Sequence, residues 1–178
     1  MIGYIIGGVV LIIVIAFISI SNKLNRAQVK IDEADSGIDV ALTKRYDVLT
    51  KQLDIVKAYA KHEVETLTKV IELRKGMSIS EKQAAANEMN QMQDRINVVA
   101  ENYPELRSSD NFKTLQNAVT DAEEHLQAAR RVYNANVSTF NQMLVTFPSS
   151  MIANSKGLTK REFFEAEEVK KQDVKMEF

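Results

Sequence analysis

The chain has 178 residues, no Cys, no Trp, two Pro and six Gly. This excludes disulfides, thiolate metal sites and Cys nucleophiles, and it points to long uninterrupted elements. Acidic and basic residues nearly cancel to a net charge of −1, so the basic excess that a nucleic-acid surface needs is missing.

Met1 to Asn22 contains no charged side chain, and Ile2 to Ile20 is mostly Ile, Val, Leu and Phe. Nineteen residues in a helix rise about 28 Å, close to the hydrocarbon thickness of a bilayer. Backbone groups in that layer must be satisfied internally, so the expectation is a transmembrane helix in contact with lipid through residues 2–20. Tyr4 suits an interface position. A cleaved signal peptide is the competing reading, and Ser19 and Ser21 have the small-residue spacing for it. Such a peptide wants a basic segment ahead of a shorter apolar core, and no basic side chain precedes this one. Lys23, Arg26 and Lys30 follow directly. The positive-inside rule therefore places the body in the cytoplasm, as a single-pass protein of the cell membrane.

The body reads as helix throughout. The first seam runs Leu24, Ile31, Ile38, Leu42, Tyr46, Leu49, Leu53, Val56, Ala60, Val64, Leu67, Ile71, in steps of seven, four and three. Lys75 and Gly76 have the chemistry of its end, a cation in the last turn and then a C-cap glycine. Ser78 and Glu81 have capping-box spacing, which starts a second helix near Ser78 to Ser80. Its stripe is Ala85, Met89, Met92, Ile96 and Val99, and it closes before Pro104. Tyr103 to Asp110 reads as a connector, with Ser109 or Asp110 capping a third helix. That helix carries Phe112, Leu115, Val119, Ala122, Leu126, Ala129, Tyr133, Val137, Phe140, Leu144 and Phe147, and stops at Pro148. Ser149 to Gly157 reads as a turn with a short helical piece. Beyond it, Phe163 and Phe164 are placed to dock back on the bundle, and the last ten residues read as a frayed helix.

The fold class is all-α. An N-terminal transmembrane helix is followed by an elongated antiparallel up-and-down bundle of three long helices, or four if the first breaks near Ser36-Gly37. The domain plan is an anchor over 1–22, a helical bundle over 23–158 and a charged tail over 159–178.

Site chemistry is sparse. The helical di-iron motif Glu-x-x-His is absent, because Tyr59 and Ala122 stand three residues before His62 and His125. His125 lies four residues after Asp121, a surface hydrogen-bonding distance on a helix. There is no phosphate-binding glycine loop and no nucleophile elbow. Catalytic, metal and cofactor sites are therefore not expected. What remains is polar density on two helices, at Lys44, Arg45, Tyr46 and Asp47 and at Arg130, Arg131, Tyr133, Asn134, Asn136 and Asn141. Arg45, Tyr46, Asp47, Arg130, Tyr133 and Asn134 make a candidate polar interaction face. The alternative is a buried network that fixes register.

Those clusters also carry a resemblance. Lys44-Arg45-Tyr46-Asp47-Val48-Leu49, Val56 to Glu63, Tyr103-Pro104-Glu105-Leu106, Asn111-Phe112 with Leu115-Gln116, Ala129 to Asn134, Phe140-Asn141, Phe147-Pro148 and Phe163-Phe164-Glu165 together resemble the LemA family. The resemblance implies a bacterial, membrane-anchored helical bundle, and it brings no established activity, substrate or cofactor. Two departures stand out. Thr50-Lys51 replace a usual Pro-Asn, which implies a straighter first helix. Asn141 replaces a usual Tyr, which implies the loss of a hydroxyl contact. The functional expectation is a non-enzymatic interaction or scaffold protein with a membrane-protein partner. Self-assembly to organise the membrane and an unrecognised hydrolase or metal-dependent enzyme are the alternatives.

Overall fold

A computed structural model describes residues 1–60, 73–74 and 76–165. The described residues hold five helices and no strand: α1 (Ile2–Tyr59), α2 (Ile79–Asn102), α3 (Pro104–Ser108), α4 (Asp110–Val145) and α5 (Ser149–Ser155). The protein is an all-α helical bundle carrying a long N-terminal apolar helix.

Nothing in α1 interrupts the backbone ladder between Ile2 and Tyr59. Gly37 is an ordinary helical position there, and the break considered at Ser36-Gly37 does not occur. Thr50 and Lys51 are helical too, with the Thr50 hydroxyl donating to the Tyr46 carbonyl at 2.9 Å. The seam residues Leu24, Ile31, Ile38, Leu42, Leu49, Leu53, Val56 and Ala60 are buried, while Val64, Leu67, Ile71, Lys75 and His62 lie outside the described residues.

The expected helix end at Lys75-Gly76 is corrected. Leu73 and Arg74 are not helical, and α1 closes at Tyr59. Gly76 does take the left-handed conformation expected of it, with φ +82°. Leu73 lines the same shallow cavity as Asp39 and Leu42. Residue 42 lies roughly 27 Å back along the helix from Ala60, so Leu73 stands level with the middle of the polar part of α1. The consequence is a parallel pair. Asp39 meets Lys82, and Arg45 meets Ala86 and Asn90, so contacts between α1 and α2 advance in the same direction. The short-connector rule for antiparallel neighbours does not describe this pair.

The later elements start and stop for local reasons. Ser78 caps α2 in a full capping box with Glu81. Pro104 ends α2 and opens α3 as its first residue, a position where its missing N–H costs nothing. The expected connector is thus partly helical, pinned by fully buried Leu106. The Ser109 hydroxyl accepts from the Phe112 N–H at 3.3 Å and caps α4. The α4 stripe is buried from Phe112 to Leu144, with Leu115 and Ala129 half-buried. Phe147, counted in the same stripe, is instead 75% exposed. After α5, Gly157 has φ +64° and closes the helix with paired bonds from its own N–H to Asn154 O and from the Leu158 N–H to Ala153 O.

Two compact units result. One contains Met1–Ser36 with Arg131–Phe163, and its core includes Leu24, Ile31, Tyr133, Val137, Phe140 and Ala153. The other contains Gly37–Arg130 with the segment from Phe164, around Leu42, Leu49, Met89, Ile96, Phe112 and Leu126. The apolar run at the start of α1 is packed against neither: from Ile2 to Ile18 every large hydrophobic side chain is exposed.

Candidate functional site

In the second unit α1 delivers Arg45 into the gap between α2 and α4. The side chain is 5% exposed and grips both neighbours. Its guanidinium bonds Asn90 Oδ1 at 2.6 Å and reaches the Ala86 carbonyl at 3.5 Å on α2, and it pairs with Glu123 Oε2 of α4 at 2.9 Å. A planar fork of five donors suits this three-point grip better than a point charge would. A second buried cation lies on α2, four residues before Ala86. Lys82, 1% exposed, holds Asp39 Oδ1 at 2.7 Å. It sits three residues before Ala85 and seven before Met89, so it is a charge on the apolar stripe of α2. That misplacement is the sequence signal that could have found it. Gln52 is fully buried on α1, and its amide has no hydrogen-bond partner among the described residues.

Tyr46 is half-buried and Asp47 exposed, so the adjacent residues of the Lys44–Asp47 cluster part company. Successive helical residues point about 100° apart, and only Arg45 points inward. Arg130, on α4 in the same unit, covers the Phe164 ring at 4.6 Å and donates to the Glu165 carbonyl at 2.8 Å. Phe164 is 2% exposed, so the docking expected of this aromatic occurs, while Phe163 stays 44% exposed.

The other polar cluster serves the first unit. The Tyr133 hydroxyl donates to the Glu162 carbonyl at 3.1 Å. Asn141 both donates to the Arg161 carbonyl and accepts from the Arg161 N–H, each at 2.9 Å. Asn136 donates to the Lys30 carbonyl at 2.9 Å. Asn134 is half-buried. Burial, then the field of Asp35, pushes the Tyr133 phenol above its usual range. The role is common to Tyr133 and Asn141: each holds the backbone of the non-helical segment around Arg161. A side-chain amide can donate to the carbonyl and accept from the N–H of one residue at once, whereas a single phenol oxygen cannot span both groups in this way.

The six candidate residues are divided between the two units. Arg45, Tyr46, Asp47 and Arg130 belong to one unit, Tyr133 and Asn134 to the other. Arg45 and Tyr133 are buried.

At the start of α2 the Ser78 N–H, then the Arg74 guanidinium and the Ser78 hydroxyl, hold the exposed Glu81 carboxyl down to about 2. Arg74 and Asp39 line a cavity of about 250 Å³ with Leu42, Thr43, Leu73 and Met77, but Arg74 is paired with Glu81 and Asp39 with Lys82. Among the described residues no group of three or more His, Cys, Asp or Glu side chains is placed to hold a metal. His125 points a ring nitrogen at the Asp121 carbonyl, 2.6 Å away on its own helix.

The sequence motifs built into these contacts find a match. The family model described as the LemA family covers residues 34–178. The chain belongs to the LemA family. Protein LemA of Metamycoplasma hominis is 27% identical over 163 residues, covering 89% of this chain and 74% of that protein. Two magnetosome proteins match a shorter stretch. Magnetosome protein MamQ of Magnetospirillum gryphiswaldense is 27% identical over 70 residues, and magnetosome protein MamQ 2 of Paramagnetospirillum magneticum is 30% identical over 71 residues. These matches cover 39% and 40% of this chain but only 26% of each magnetosome protein. The family resemblance read from the LemA motifs thus holds across both units.

Proposed function

We propose that this LemA-family chain is a single-pass bacterial membrane protein whose helical body stands in the cytoplasm and works without catalysis, as a docking module for a membrane-protein partner. The observation that carries this reading is the state of the first helical segment. The start of α1 is apolar enough and long enough to cross a bilayer, and its most apolar window is 0% buried in the fold. Apolar surface of that extent is stable in water only when something covers it, and a span of this length fits a bilayer. Exposed Lys23, Arg26 and Lys30 support the cytoplasmic side. Tethering concentrates the body toward partners in the same membrane.

The docking face is to be sought at exposed positions, since Arg45 and Tyr133 are occupied inside the fold. Asp47, Val98 and Val132 are exposed points on three helices. Photoreactive residues placed there, one at a time in native membranes, are expected to give one dominant adduct with another membrane protein. Adducts only with a second copy would reject the docking module in favour of self-assembly. That second reading, organisation of a membrane by self-assembly through coiled-coil faces, draws on the magnetosome proteins among the relatives.

A further inference from the structure

The first unit carries an exposed apolar corner at one end. Val145, Phe147 and Met151, where α4 gives way to α5, are 64%, 75% and 65% exposed. Elsewhere on the body exposed valines such as Val40 and Val98 are scattered singly, which is ordinary. Three large apolar side chains within seven residues, one an aromatic that helical period would have buried, form a concentrated feature.

The contacts of this unit fix where the corner lies along α1. Lys156, just after α5, donates to Asn25 at 3.0 Å, and Arg161 pairs with Asp32 at 3.5 Å. The chain then brings the Glu162 carbonyl to Tyr133, and Asn136 meets Lys30. From Tyr133 onward α4 therefore descends α1 toward its N-terminus. Nine residues separate Asn136 from Val145, which is about 13 Å of helix and brings Val145 level with Ser21. The apolar run ends at Ile20. The corner thus lies level with the boundary between the apolar segment and the polar helix that follows.

Charge agrees with that placement. No Asp or Glu occurs from residue 1 to 31 or from 125 to 161, while Lys23, Arg26, Lys156 and Lys160 are all exposed in those stretches. Apolar side chains flanked by cations, with carboxylates kept away, match the boundary layer of a membrane with anionic headgroups.

We infer that the α4–α5 corner is a second membrane contact: Phe147 and Met151 insert into the interfacial layer of the bilayer beside the anchor, with the surrounding lysines and arginines on lipid headgroups. The inference rests on the anchor crossing the bilayer. The corner then holds the body in a fixed relation to the membrane surface, which a single helix alone would leave free to tilt and rotate.

Because the chain has no Trp, one introduced indole reports without background. The full chain is placed in vesicles of phosphatidylcholine and phosphatidylglycerol, with Phe147→Trp, Met151→Trp, Val98→Trp and Phe17→Trp made separately and circular dichroism confirming helix in each. Phe17→Trp reports the anchor itself. The expected result is blue-shifted emission at positions 147 and 151, with most of it lost to lipids brominated high on the acyl chain. The indole at 98 should stay water-like and unquenched. If the indole at 17 is quenched while those at 147 and 151 stay water-like, the anchor stands and this inference falls. Emission at 147 and 151 that is shielded from water but untouched by lipid bromine also overturns it, because a protein then covers the corner. Quenching at 98 as well would mean the body adheres without orientation, and that too overturns it. An unquenched indole at 17 removes the anchor and the inference together. Two reporters in the corner keep the test valid should one substitution fail to fold.

Discussion

Arg45 illustrates how a residue rich in signal can be assigned the wrong surroundings. Its neighbours Lys44 and Asp47 are exposed, and on paper the four residues form one charged patch. The helix turns only Arg45 inward, where Asn90, Ala86 and Glu123 await it. Exposed ion pairs contribute about 0–1 kcal/mol, whereas removing one partner of a buried pair costs about 3–5 kcal/mol. Arg45 is buried, but the Glu123 side chain is 32% exposed, so part of the penalty is relieved by water. Arg45→Ala should therefore lower stability by about 2–4 kcal/mol. Arg45→Lys should recover only part of that, since a point charge cannot reach three acceptors on two helices. Urea titration of the detergent-solubilised chain, followed by circular dichroism, measures both. An alanine variant as stable as the parent would mean that the network contributes no more than a surface pair does.

At the scale of elements, local chemistry governs helix starts more firmly than it governs helix partners. The α2 cap is a case where the physics is nearly self-contained. Glu81 is partly exposed, yet three donors favour its charged form. A folded value below the ordinary 4.5 means that its contribution is present above that pH and is lost as pH falls toward about 2. Protection of the amides in the first turn of α2, taken relative to their intrinsic exchange rate at each pH, should accordingly fall over that window, and Glu81→Gln should flatten the dependence. An unchanged profile in the variant would show that Glu81 does not hold the turn.

Capping boxes, proline stops and periodic stripes made α2, most of α1 and α4 up to Leu144 readable in the sequence, because each depends on residues three or four apart. The parallel pairing of α1 with α2 was not readable, because no spacing of three or four residues says in which direction two packed helices run. Phe147 was misplaced for a related reason. Periodicity says which face a residue occupies, and nothing about whether a neighbour still covers that face where the helix ends. The backbone-holding roles of Arg130, Tyr133 and Asn141 were likewise hidden. Their partners are carbonyl and amide groups of residues 161, 162 and 165, which carry no side-chain signature.

For the whole molecule, the proposed orientation across a membrane is the property from which any cellular role must start. Lys23, Arg26 and Lys30 are the charged side chains of residues 1–31, and all are basic. Basic residues within a few turns of a span resist translocation, whereas acidic residues such as Asp32 and Glu33 weigh little. Three cations directly after the apolar run favour the cytoplasmic placement of the body proposed above. The absence of Cys makes the orientation directly measurable. Gly3→Cys and Val132→Cys, made separately, place one thiol ahead of the apolar run and one on the exposed side of α4. In intact cells a membrane-impermeant maleimide should label position 3 and spare position 132, and permeabilisation should expose both. The reverse pattern would put the body on the outer side, and its partners would then have to be sought in the envelope. Labelling of both thiols in intact cells, together with release of the chain into the medium, would mean that the apolar segment does not anchor the protein.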